Sequence, residues 1–100
     1  MSHKIKDPIK AMYLQANVSY SILKLMDGQI QIQTRPLKFF ASKLEEFGWC
    51  KIHKSFMVNP LYVVKLTNDR NSICMQDGQI LPISRRNKKM VIKWRTSIYQ

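Results

Sequence analysis

Along the first third of the chain, apolar and polar residues change places at nearly every step. In Ala11 to Ala16, Met12, Leu14 and Ala16 fall on one side, the period of a strand. Tyr20 to Met26 is a second run rich in β-formers, separated from the first by a turn at Asn17-Val18-Ser19. Gln29 to Thr34 (QIQIQT) alternates strictly, which predicts a half-buried strand with Ile30 and Ile32 inward and the glutamines outward. The period then changes. Leu37, Phe40, Leu44 and Phe47 recur at three- and four-residue steps, with Pro36 at the start and Gly48 at the end, and predict an amphipathic helix over about 36–47.

The second half repeats this grammar. Trp49 to Val58 reads as extended, kinked near Ser55 and broken by Asn59-Pro60. Leu61 to Leu66 is continuous and β-branched, which predicts a strand buried on both faces, and Asn68-Asp69-Arg70-Asn71 is a polar loop. Ser72 to Gln76 and Gln79 to Ile83 form a hairpin whose return strand Pro82 confines to an edge. Ser84 is placed to cap a last helix over about 85–97, with Met90, Val91, Trp94 and Ile98 as its apolar positions.

The tetrapeptide Asp-Gly-Gln-Ile occurs twice, at 27–30 and at 77–80, each time between two predicted strands. Asp-Gly is the pair a two-residue hairpin turn demands, so the repeat is the same turn chemistry used twice. The fold class that emerges is one mainly β domain with two short helices. One hundred residues suffice for a single core. An apolar fraction of 45% argues against disorder, and no apolar run approaches the roughly 20 residues that span a bilayer. The first residues, MSHKIKDPIK, lack the apolar core of a secretory signal, so the expected location is cytoplasmic.

Charge changes the picture more than composition does. Seventeen Lys and Arg face six Asp and Glu, for a net charge of +11. Residues 51–100 carry ten basic and two acidic side chains, and no acid follows Asp77. Such asymmetry implies a polyanionic or acidic partner and leaves open nucleic acid, an anionic surface or an acidic protein. The excess peaks at Arg85, Arg86, Lys88 and Lys89, where the last helix should begin. A helix N-terminus disfavours each exposed cation by about 0.3–1 kcal/mol, a cost that a bound phosphate would reverse. Arg85 and Arg86 suit bidentate reading of guanine, Asn87 can offer an amide to adenine, and Lys88, Lys89 and Lys93 suit phosphates.

Other chemistry is poorly supported. His53 lies beside Ser55, but no third group to orient the histidine and no glycine-rich elbow accompany them, so no catalytic site is expected. Cys50 and Cys74 lack ligand spacing and His3 and His53 are the only histidines, so neither metal nor other cofactor is expected. Both cysteines read as reduced residues in strands, although a disulfide is not excluded by sequence alone.

Two segments, KIHKSFMVNP and, some twenty residues later, DGQILPISRRNKK, together resemble the LytTR family of bacterial DNA-binding domains. LQANVSYSIL resembles the family's first-strand segment, and the likeness extends over roughly residues 8 to 95, leaving 1–7 as an N-terminal extension and 8–100 as the domain. The resemblance implies an elongated arrangement of small, mostly antiparallel sheets. It also implies loops that enter successive major grooves on one face of double-stranded DNA, typically bending it, at paired repeats near promoters. The contacts it implies are Asn17, Ser19 and Tyr20 in a first loop; His53 and Lys54 in a second, which Ser55 and Asn59 shape; and Arg85, Arg86 and Asn87 in a third; Lys51, Lys88 and Lys89 complete the expected DNA-binding set as neighbouring cations. Gln15 stands where the family usually has an acid, and Lys51 where Arg is frequent. Most relatives carry a receiver domain that residues 1–7 cannot supply. The chain is thus expected to be a stand-alone regulator, acting as a monomer or weak dimer that pairs on DNA and open to control by a regulatory protein, or else an excised piece. The alternative function is a basic module for RNA or an acidic protein; against RNA, Phe40, Phe47 and Trp94 fall on predicted core stripes.

Overall fold

The structure, a computed structural model, describes residues 7–98, with side chains to Arg95. Strands β1 (Ala11–Asn17), β2 (Tyr20–Leu25) and β3 (Ile30–Gln33) form a meander, followed by helix α1 (Leu37–Glu46). Strands β4 (Cys50–His53) and β5 (Phe56–Val58) form a hairpin, and a 3-10 turn at Pro60–Tyr62 leads into β6 (Val63–Leu66). Strands β7 (Ser72–Met75) and β8 (Ile80–Pro82) precede a 3-10 turn at Arg85–Asn87 and helix α2 (Lys88–Ile98). The strands make a five-stranded sheet ordered β3-β2-β1-β5-β4 and a three-stranded sheet ordered β6-β7-β8. Every pairing is antiparallel. The principal extents are 40 × 27 × 22 Å, so the mainly β, elongated architecture with two short helices is observed.

Two cores lie on opposite faces of the larger sheet. One is closed by α1, whose Leu37, Phe40 and Leu44 pack on Leu14, Leu23, Trp49 and Met57. The other joins Tyr13, Ile52 and Val58 to Ile73, Met75 and Leu81 of the smaller sheet and to Val91 of α2. Strand β1 is central and buried on both sides, and its pairing with β2 shifts register between Ala11 and Tyr13. That bulge places Met12 in the same core as Tyr13, whereas Leu14 belongs to the other, so Met12 and Leu14 do not share a face as the alternation predicts.

Further departures have local causes. Ile30 and Ile32 are 55% and 62% exposed, because β3 is an edge strand whose apolar side lies beyond the smaller sheet. Phe47 falls at the C-cap of α1, off the stripe, and is exposed, as is Met90 in α2. Leu61 lies in the 3-10 turn and Val64 on the outer side of β6, both exposed, so 61–66 is not a strand buried on both faces. The segment 49–58 is a tight hairpin and not a kinked strand.

The two Asp-Gly turns share one construction, though not the two-residue turn the sequence suggests. Gly28 donates its N–H to Leu25 O at 3.0 Å, and Leu25 donates to Gln29 O at 2.8 Å; Gly78 and Met75 do the same with Met75 O and Gln79 O at 2.9 Å each. Only the glycines take positive φ, at +90° and +88°, which marks a three-residue loop ending in a glycine bulge. Asp27 and Asp77 accept the N–H of Gln29 and Gln79 through Oδ1, which accounts for the conserved spacing of the repeat within this chain. Pro82 lies on β8, an edge strand, as its missing N–H requires.

Candidate nucleic-acid interface

The first candidate segment is the β1–β2 turn. Asn17 and Tyr20 pair across its base, leaving Val18 and Ser19 as a two-residue tip. Val18 has φ +55° and is 95% exposed, an unusual conformation for a β-branched residue. The second segment is the β4–β5 turn. His53 pairs with Phe56, with ring centroids 5.9 Å apart, and Lys54 and Ser55 form the tip. Ser55 donates its backbone N–H to His53 Nδ1 at 3.0 Å, which leaves the proton of the neutral ring on Nε2. The serine's backbone N–H, not its hydroxyl, makes this bond to the imidazole, so the pair locks the turn.

The third segment begins at Ser84, whose Oγ accepts the backbone N–H of Asn87 at 3.3 Å. The predicted cap is therefore present, but it closes the 3-10 turn Arg85–Asn87, and α-helical geometry starts only at Lys88. Arg85, Arg86 and Lys89 are exposed. Lys88 Nζ donates to Asn71 Oδ1 at 2.8 Å and so braces the β6–β7 loop. In that loop, Asp69 accepts from the Asn71 N–H and the Thr67 hydroxyl, which hold its carboxyl below the ordinary aspartate value.

Backbone hydrogen bonds join the three segments. Ala16 donates its N–H to Ser55 O at 2.8 Å, fastening the first turn to the second. Ser84 donates to Ile52 O at 2.9 Å, and Asn87 Nδ2 donates to Lys51 O at 3.3 Å, fastening the third to β4. A shallow depression between the first two turns is lined by Val18, Ser19, Pro36, Lys38, Lys51 and Lys54. Lys38 was not legible as part of this group, because a lysine opening an amphipathic helix reads as a solvated residue. The ion pairs found among the described residues, Lys10–Asp7 and Lys43–Glu46, include no member of the three segments.

Asn59 requires a correction. It is 2% exposed, donates from Nδ2 to Pro8 O (3.0 Å) and Ala11 O (2.9 Å), and accepts the Leu61 N–H at 3.0 Å. Its amide is committed to holding the start of β1 against the 3-10 turn at Pro60, so it offers nothing to a ligand. Asn87 is partly committed, through Nδ2, and retains Oδ1. Among the described residues no cluster of three or more His, Cys, Asp or Glu could hold a metal, and no helix is long and apolar enough to cross a membrane. Cys50 is buried and Cys74 half-buried, both as free thiols in strands.

This arrangement has counterparts. Among solved structures, a LytTr DNA-binding domain from Bacillus cereus superposes with a TM-score of 0.71 over 100% of this chain and 96% of that one, at 18% sequence identity. No curated protein sequence matches. The family described as the LytTr DNA-binding domain matches residues 5–95. With nearly the whole length matched, in sequence and in fold, the chain belongs to the LytTR family of DNA-binding domains.

Proposed function

We propose that the chain is a sequence-specific regulator of transcription that reads double-stranded DNA with the β1–β2 turn, the β4–β5 turn and the Arg85–Asn87 turn. The observation that carries this reading is the hydrogen-bonded continuity of the three segments, Ala16 to Ser55 and Ser84 to Ile52. It makes one rigid cationic surface from residues almost seventy positions apart. Arg85 and Arg86 act as base readers, and His53 offers Nε2–H as a donor to guanine or phosphate. Lys38, Lys51, Lys54, Lys88 and Lys89 position the backbone. Asn17, Ser19 and Tyr20 supply the first contact, Ser55 shapes the second, and repeated promoter elements are the expected operators. Action on DNA in a bacterium places the protein in the cytoplasm, at the nucleoid when bound.

Selection of duplexes from a random library at near-physiological salt tests this, because non-specific phosphate binding fades steeply with salt while base readout persists. Enrichment of paired short elements is expected; binding without enrichment overturns base reading. An RNA competitor belongs in the same experiment. Phe39 and Phe47 are each about half exposed, so aromatic surface for stacking does exist, but on α1.

A further inference from the structure

Among the described residues, strand β3 is an edge with no strand paired on its outer side. Edge strands are normally blunted by lysine, proline or a bulge. Positions 29–34 contain none of these and no charge at all, in a chain whose net charge is +11. On the same face of β3, Ile30 and Ile32 are more than half exposed beside half-buried Ile22. The strand itself therefore sets no like charges together when two copies meet, although Lys24 stands opposite Ile30 on β2.

The hydrogen-bond phase fixes what the edge offers. Leu25 donates to Gln29 O, and the ladder continues as Lys24 opposite Ile30, Leu23 opposite Gln31 and Ile22 opposite Ile32. Antiparallel pairs alternate between bonded and non-bonded, so Gln29, Gln31 and Gln33 turn their peptide groups toward β2. The N–H and C=O of Ile30 and Ile32 therefore point away from the sheet.

We propose that β3 is a homodimerisation edge, to which a second copy of this chain adds its own β3 antiparallel about a two-fold axis at Gln31. The sequence Gln29-Ile30-Gln31-Ile32-Gln33 is a palindrome, which is what a self-complementary contact requires. Ile30 then faces the partner's Ile32 as a bonded pair, the two backbones exchange N–H···O bonds, and four isoleucines cluster on one face. Gln31 faces its own copy as a non-bonded pair. The same register brings the acidic turn at Asp27 toward the partner's Arg35, an exposed guanidinium seated 5.0 Å from the Phe39 ring centroid. Opposite charges thus close both ends of the contact. Since β4 lies at the other edge of the sheet, the β4–β5 and Arg85–Asn87 turns stay clear of the pairing. Two four-residue strands make a small interface, so the association is reversible and concentration-dependent.

The test is sedimentation equilibrium of the full 100-residue chain across a wide concentration range, without DNA. The average mass is expected to rise from one chain toward two. Ile32→Lys should weaken association by about tenfold or more, through lost cross-strand apolar pairs and opposed charges. Ile32→Pro should also abolish it, because that N–H faces outward and the β2–β3 ladder does not use it; circular dichroism verifies that each variant folds. In a Cys74→Ser background, Gln31→Cys should form an intermolecular disulfide under mild oxidation, since non-bonded partners place Cα atoms about 4.5 Å apart. Ile30→Cys, facing Ile32, should cross-link far more slowly. A chain that stays monomeric at all concentrations overturns the proposal, as does a dimer indifferent to Ile32→Lys and Ile32→Pro in folded variants, or equal cross-linking at 30 and 31.

Discussion

Replacing Asn59 by alanine separates a structural role from a DNA contact. The substitution removes three hydrogen bonds at once, to Pro8 O, Ala11 O and the Leu61 N–H. Leu61 is exposed and Pro8 half-buried, so water can reclaim those two backbone groups, and their net loss is about 0.5–1 kcal/mol each. Ala11 is fully buried, and stranding its carbonyl costs about 1–3 kcal/mol. The total is about 2–5 kcal/mol, a large part of the roughly 5–15 kcal/mol that holds a domain together. For a chain of this size that lowers Tm by about 8–40 °C. Urea titration followed by fluorescence of the buried Trp49 measures the loss directly. Asn59→Asp should be worse than Asn59→Ala, because a carboxylate would then face two carbonyl oxygens. DNA affinity of the folded fraction should be unchanged. If Asn59→Ala retains stability to within about 0.5 kcal/mol, as an ordinary surface change would, yet loses DNA binding, the burial argument is wrong and Asn59 belongs to the interface.

Arg85→Ala should cost about 1–3 kcal/mol on the selected operator and relax preference at one base position, whereas Lys89→Ala should weaken all sequences alike; equal losses for Arg85→Ala on operator and random DNA would remove it from base reading. Val18→Gly, at φ +55°, should raise stability by about 0.5–1 kcal/mol in thermal melts, since relief of left-handed strain of about 1–2 kcal/mol outweighs the entropy of glycine. The Asp69 carboxyl titrates below its ordinary value, so its support of the 67–71 loop is full above that value and disappears as pH falls through the depressed one. Protection of the Asn71 amide, taken relative to its intrinsic exchange rate at each pH, should therefore fall in acid, and Asp69→Asn should remove that pH dependence. Burial pushes the Cys50 thiol up to about 12, with a smaller contribution from Glu45, so at pH 8 an alkylating reagent should modify Cys74 in the native protein and Cys50 only after unfolding.

Local chemistry was legible wherever it depended on neighbouring residues alone. The turn at Asn17-Val18-Ser19, the two Asp-Gly hairpins, the Ser84 cap, the edge position of Pro82 and the stripe of Leu37, Phe40 and Leu44 all follow from short-range sterics and hydrogen bonding that the sequence carries. So did the cationic Arg85–Lys89 run, because charge is additive and needs no fold to be counted. The motifs around His53 and Arg85 carried the family as well. Tertiary structure decided what depends on which surfaces meet. A period-2 pattern states that two faces differ, not that either is covered, and only the strand order left Ile30 and Ile32 on an open edge. A one-residue bulge moved Met12 from one core to the other, a change of register that alternation cannot encode. Asn59 reads as a polar residue available to a ligand until packing buries it and commits its amide to Pro8, Ala11 and Leu61. Lys38 has no local signature, and only the tertiary fold, with β1 paired to β5, sets it beside the β1–β2 and β4–β5 turns. Sequence thus determined the parts and their charge; the pairing of distant strands, driven by burial of two cores, decided which parts lie together and which stay exposed.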